Sequence, residues 1–217
     1  MNEDAPDRLR EDLAFCGLIA ADVSHELRNV LSVIGEYAGL LDDLIGLAEQ
    51  GKPADYAKLR KLSANIARQV KRGTETMERF SRFAHAADGQ TSGFDLAALV
   101  ENLAALLQGR VSLAGCRLEA ELPAQSLPVR GDPFALQHLV FLSIQWVLDS
   151  LEKGESVRVK LLPQGPAAVI CVSGPAAGGG ADRVRQQVAA AAGGCQGTIE
   201  TAWANGILSL TITLPIH

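Results

Sequence analysis

The sequence predicts an α+β chain. An N-terminal antiparallel helical hairpin pairs with a second copy into a dimeric four-helix bundle, and a C-terminal α/β sandwich follows. Three observations predict it. No proline occurs from Arg8 to Gln50, where apolar residues recur at Val23, Leu27, Val30, Ile34, Ala38, Leu41 and Leu44. Gly51-Lys52-Pro53 interrupts that pattern, and a second periodic stretch follows at Leu59, Leu62, Ile66, Val70, Met77 and Phe80. From Phe94 the periodicity shortens to alternating runs interleaved with apolar helices.

Steps of three and four between apolar residues are the spacing of a coiled coil or helical bundle. The first stretch predicts a helix of about 40 residues, which spans about 60 Å. Glycine ends a helix at little cost and proline starts the next one well, so a break is expected at residues 51–53. The second helix runs for about 30 residues, antiparallel because the turn is short. Two such helices cannot bury their apolar stripes on each other alone, so a homodimer is expected; a monomer with the hairpin capped by the C-terminal region is the alternative.

Residues 86–93 are small and polar with Gly89, and read as a linker between a domain at 1–85 and one at 94–217. Within the second, Leu96–Leu107, Pro133–Leu151 and Asp182–Ala192 read as helices. Arg117–Leu122, Val157–Leu162 and Ala168–Val172 read as strands. Thr198–Thr201 and Ile207–Leu214 form a hairpin around Asn205-Gly206, a strong turn signal. One layer of sheet under one of helices results.

Composition narrows the function. The 217 residues are 47% hydrophobic and 21% charged, with a net charge of −5, so nothing attracts nucleic acid or an anionic membrane. No apolar run approaches a membrane span, and Met1-Asn2-Glu3-Asp4 lacks the layout of a signal peptide, so a cytoplasmic location is expected. Cys16, Cys116, Cys171 and Cys195 have no metal-ligand spacing and read as reduced thiols.

The chemistry centres on Ser24-His25-Glu26-Leu27-Arg28-Asn29. With Val23 and Leu27 on the seam, His25 falls on the opposite side of the helix, toward solvent. Asn29 shares its face, four residues on. Asp22, Ser32 and Glu36 extend the polar stripe. A neutral imidazole is a nucleophile toward phosphorus, and Glu26 is near enough in sequence to orient or deprotonate one ring nitrogen. Asn29 can orient a water. Taken alone, an exposed helical histidine is an ordinary surface residue.

The same six residues, followed by Leu31 and Ile34, resemble the H-box of the sensor histidine kinases, on the first of two long helices as in that family. Val30 departs from it, since proline is frequent there. The resemblance implies that His25 is the phospho-acceptor, Glu26 the adjacent acid or base and Asn29 the residue for phosphatase chemistry. It implies that receiver domains of response regulators dock beside the histidine. Asp22, Arg28, Ser32 and Glu36 on the first helix and Arg68, Lys71, Arg72 and Arg79 on the second would meet them. A basic face suits the acidic pocket of a receiver.

Phe94-Asp95-Leu96, Gly131-Asp132-Pro133, Gly193-Gly194 and Thr198-Ile199-Glu200 resemble the ATP-binding domain of the same kinases, the Bergerat fold. The resemblance fails at the nucleotide. Leu142 and Trp146 stand where the family places the asparagines that hold the phosphates through Mg²⁺, and neither can ligate a hard cation. Val172 stands at the position of the adenine-reading Asp, ahead of Gly174. Only Ala176-Ala177 separate Gly174-Pro175 from Gly178-Gly179-Gly180, which leaves no length for a lid. The nucleotide pocket is thus degenerate, no metal or cofactor is expected, and Mg²⁺ is expected only in the partner receiver.

These readings converge on a phosphorelay protein that accepts a phosphoryl group on His25 from one receiver aspartate and donates it to another, without its own ATP. The alternatives are a phosphatase or sequestering regulator of one response regulator, an ATP-dependent histidine kinase with an aberrant pocket, and a purely structural dimer.

Overall fold

The computed structural model describes residues 5–88, 93–175 and 197–216. Helix α1 (Ala5–Glu49) has 45 residues, and α2 (Tyr56–His85) has 30. Gly51 at φ +86° makes the turn, and Asp55 caps α2 by accepting a hydrogen bond from the Lys58 amide at 2.9 Å. The two helices pack closely at Gly73: a Cβ there would lie 3.3 Å from Cγ1 of Val30. Glycine thus lets the hairpin close against a buried valine.

A short 3-10 turn (Ala86–Asp88) continues α2 into the segment read as a linker, whose residues 89–92 lie outside those described. Strand β1 (Phe94–Asp95) then leads directly into α3 (Leu96–Leu113). Next come β2 (Arg117–Glu121), β3 (Pro128–Val129) and α4 (Pro133–Leu148). Strands β4 (Ser156–Gln164), β5 (Ala167–Pro175), β6 (Thr198–Ala204) and β7 (Ile207–Pro215) complete the domain. The main sheet has the order β2-β4-β5-β7-β6, with β2 and β4 parallel and the other pairs antiparallel. Strands β1 and β3 form a separate two-stranded pair that the sequence did not suggest.

Alternation along the strands selects one buried face. Val157, Val159 and Leu161 of β4, Ile170 and Val172 of β5, and Leu210 and Ile212 of β7 all point into the core beneath α3 and α4. The turn between β6 and β7 falls at Asn205 (φ 53°) and Gly206 (φ 72°), as their sequence predicts. Helix α3 runs six residues beyond its predicted end at Leu107, and α4 stops at Leu148, before the predicted Leu151. By length and composition α3 could cross a membrane, but it packs against α1, α2, α4 and β2 in the protein core. The helix expected at Asp182–Ala192 lies outside the described residues.

The core does not stop at the sandwich. Phe15, Ile19 and Val23 of α1 and Phe83 of α2 are buried in the same cluster as α3 and α4. Phe15 meets Phe83 edge-on at 5.3 Å and stacks on His138 of α4 at 4.7 Å. Asp12 lies 2.9 Å from Nδ1 of that histidine. Asn102 of α3 accepts from Nε of Arg82 and donates to the Arg79 carbonyl, tying α2 to the sandwich.

Asp95 shapes the entry to the second domain. Its carboxylate accepts hydrogen bonds from the Ala97 and Leu127 amides at 3.0 and 3.1 Å. Burial pushes its pKa up, but hydrogen bonds from Leu127, Ala97 and neighbouring groups outweigh that and hold it below the usual carboxylate value. Asp95→Ala is expected to cost about 1–2 kcal/mol at neutral pH. A lowered folded pKa gives stability that is full above the unfolded value and lost as pH falls through the folded one. In urea unfolding, the gap between wild type and variant should therefore narrow from pH 7 to about pH 3; an equal gap at both would contradict the assignment.

Candidate functional site

Helical geometry fixes where His25 points. Val23 and Val30 are 5% and 4% exposed, held between α1 and its neighbours, so the ring two residues after Val23 projects outward and is exposed. The carboxamide nitrogen of Asn29 lies 3.3 Å from Nδ1 of His25. Which end of that carboxamide faces the ring decides which imidazole nitrogen keeps a free lone pair. Asn29 is thus the side chain placed to orient the ring.

Glu26 is turned elsewhere. Its carboxylate, which the sequence puts within reach of the imidazole, forms an ion pair with Arg72 of α2 at 2.6 Å. Asp22 is also engaged. It takes a two-pronged pair from Arg110 of α3, at 2.8 Å from Nε and 3.2 Å from Nη2. Both partners are more than two-thirds covered, so this pair ties the second domain to the first helix.

A cleft of about 430 Å³ opens between the two domains at this point. His25, Asp22 and Glu26 line it from α1, Arg72, Glu75 and Arg79 from α2, and Leu106, Arg110 and Leu113 from α3. Four of the sequence-predicted residues, Asp22, Glu26, Arg72 and Arg79, thus share a cavity with His25. Arg28, Ser32, Glu36, Arg68 and Lys71 are exposed on the open surface outside it. Lys71 is 3.8 Å from Glu75. The face expected to be basic is therefore partly neutralised by its own carboxylates. Sequence reasoning missed Arg110, because nothing local links it to a helix 88 positions earlier.

The positions that the resemblance assigns to a nucleotide are occupied by apolar side chains. Trp146 is 4% exposed and Leu142 half-buried. Val172 is fully buried in register with Val159 and Leu210. A Cβ on Gly174 would come within 2.7 Å of Val147 and 2.9 Å of Leu151, so those side chains occupy the space beside this glycine. None of these four residues offers a side-chain oxygen to Mg²⁺, so they do not fit a metal-nucleotide. Gly178, expected at the same pocket, lies outside the described residues. Among the described residues no cluster of His, Cys, Asp or Glu could hold a metal ion.

No family model matches the sequence. The C4-dicarboxylate transport sensor protein DctB of Rhizobium meliloti (strain 1021) is 26% identical over 167 residues, which are 75% of this chain and 26% of DctB. The chain thus spans about a quarter of the length of that curated relative. Among solved structures, the nucleotide-free catalytic domain of histidine kinase ThkA superposes with a TM-score of 0.51 at 10% identity, over 57% of this chain and 94% of that domain. ThkA in complex with the response regulator protein TrrA gives 0.50 at 14% identity, over 99% of this chain and 66% of that one. The helical region followed by a mixed α/β domain is the fold of a histidine kinase core.

An aspartate at position 172, where the resemblance puts the adenine-reading residue, would have no room to act. Val172→Asp places a carboxylate in a fully buried strand position with no partner, at an expected cost of several kcal/mol. A large drop in melting temperature is the predicted result. An unchanged melting temperature would mean that this position opens onto a solvated pocket.

Proposed function

With the histidine kinase core as the fold, we propose that this chain works in two-component signalling as a histidine phosphotransferase. His25 takes a phosphoryl group from a receiver aspartate and passes it to another receiver, and ATP is not the donor. The observation that carries this reading is the contrast between two sites: an exposed imidazole beside Asn29, and apolar side chains at the nucleotide positions.

In the transfer, a lone pair on a His25 ring nitrogen forms the P–N bond while the acyl-phosphate P–O bond breaks. The departing electron pair stays on the receiver carboxylate, and the ring's other nitrogen gives up its proton to solvent. Such a step needs in-line positioning and charge neutralisation more than covalent help from the protein. The receiver supplies Mg²⁺. Residues 1–85 carry the phosphoryl group, 86–93 link, and 94–217 serve as a degenerate ATPase-like domain in a protein that acts in the cytoplasm.

The bundle completes itself as a homodimer in this reading. Leu31 and Ile45 on α1 and Val70 and Met77 on α2 are about half exposed or more, at helical spacing on the flank that includes Ile34 and Ala38. Apolar stripes of this kind are normally covered. Ile34 lies about half a turn around the helix from His25, so dimerisation and docking use different faces.

Asn29 also supports a phosphatase reading, because a carboxamide beside the ring can hold a water for attack on the receiver's phosphate. Incubation with receiver domains radiolabelled on aspartate separates the two. Acid-labile label on this chain supports transfer, and release as free phosphate supports the phosphatase. His25→Gln is expected to abolish label uptake while leaving the dimer and its melting temperature unchanged. Ile34→Asp is expected to shift the chain to a monomer by light scattering, since it buries an unpaired charge at a cost of several kcal/mol.

A further inference from the structure

Resting on the proposed phosphoryl acceptor, we infer that Arg110, contributed by the second domain, is a phosphoryl-binding residue for the phosphorylated state of His25. The cleft holds three carboxylates beside the imidazole, those of Asp22, Glu26 and Glu75. A phosphoryl group brings about 1.5–2 further negative charges into it. Like charges at this spacing repel strongly unless a cation comes between them.

The cleft also holds the cations. Arg72 is committed to Glu26 at 2.6 Å, and Arg79 lines the same cleft from α2. Arg110 is paired with Asp22, which lies about one helical turn before His25, and its side chain lines the same cleft as the imidazole. A planar guanidinium binds a phosphoryl group by two parallel hydrogen bonds, as it now binds the Asp22 carboxylate. Phosphorylation offers Arg110 the more highly charged of two neighbouring anions. The guanidinium turns from Asp22 toward the phosphoryl oxygens, and the second domain stabilises the phosphohistidine without any nucleotide. This gives the α/β domain a function that its degenerate pocket does not supply. It also links the charge on His25 to the contact that joins the domains.

The test uses the full chain and phosphoramidate, which phosphorylates histidine with ammonia leaving, so no partner has to be known. The phosphorus NMR signal of phospho-His25 is titrated with pH in wild type, Arg110→Gln, Arg110→Lys and Asp22→Asn. In Arg110→Gln the phosphoryl titration is expected to move up by about half a pH unit, because the dianion loses its cation. Arg110→Lys should restore part of the shift. Asp22→Asn breaks the same domain contact but frees Arg110, so its titration should stay at the wild-type value or fall. If Arg110→Gln titrates like wild type, or if Asp22→Asn moves upward with it, Arg110 only joins the domains and the inference is overturned. If wild type takes no phosphoryl group on His25 while free imidazole in the same tube does, the acceptor reading itself fails.

Discussion

The burial of Val23 and Val30 is the constraint from which the rest follows. A helix returns to the same side every three to four residues, so two buried valines seven apart leave His25 no option but to face outward. Gly73 strengthens this, because its missing side chain lets α2 approach Val30 closely. A larger residue there would push the helices apart and free α1 to rotate, and the imidazole would lose its fixed direction. The reactivity assigned to His25 thus depends on apolar contacts that do not touch it.

The second dependence is the joint between hairpin and sandwich. Phe15 lies among Phe83, Phe134, His138 and Phe141, so the first helix is built into the core of the second domain. The Arg110–Asp22 pair and the Asn102 bridge to α2 add polar contacts at two further points. Here three separate contacts over one continuous core hold the α/β domain as one wall of the cleft.

Much of this architecture is legible in the sequence, for physical reasons. The hairpin follows from a long heptad pattern and a Gly-Pro break, and the closing strands follow from Asn205-Gly206. Those signals are local. The limits of α3 and α4 were misjudged because their apolar residues continue past or stop short of any capping residue. The site was half legible. The outward direction of His25 and its neighbour Asn29 come from spacing along one helix. The turn of Glu26 to Arg72 and of Asp22 to Arg110 does not, since both partners arrive from other helices, and a sequence gives no measure of which cation a carboxylate will meet. The strand β2, paired parallel with β4 across a helical crossover, is long-range in the same sense.

In the proposed function phosphate reaches His25 from a carboxyl phosphate and not from ATP. One labelling experiment on the intact chain tests it most directly. The protein is offered γ-labelled Mg-ATP in one reaction and an aspartyl-phosphorylated receiver in another, and acid-labile label is followed over time. Label from the receiver alone, absent in His25→Gln, is the predicted result. Label from Mg-ATP with no receiver present would contradict the account.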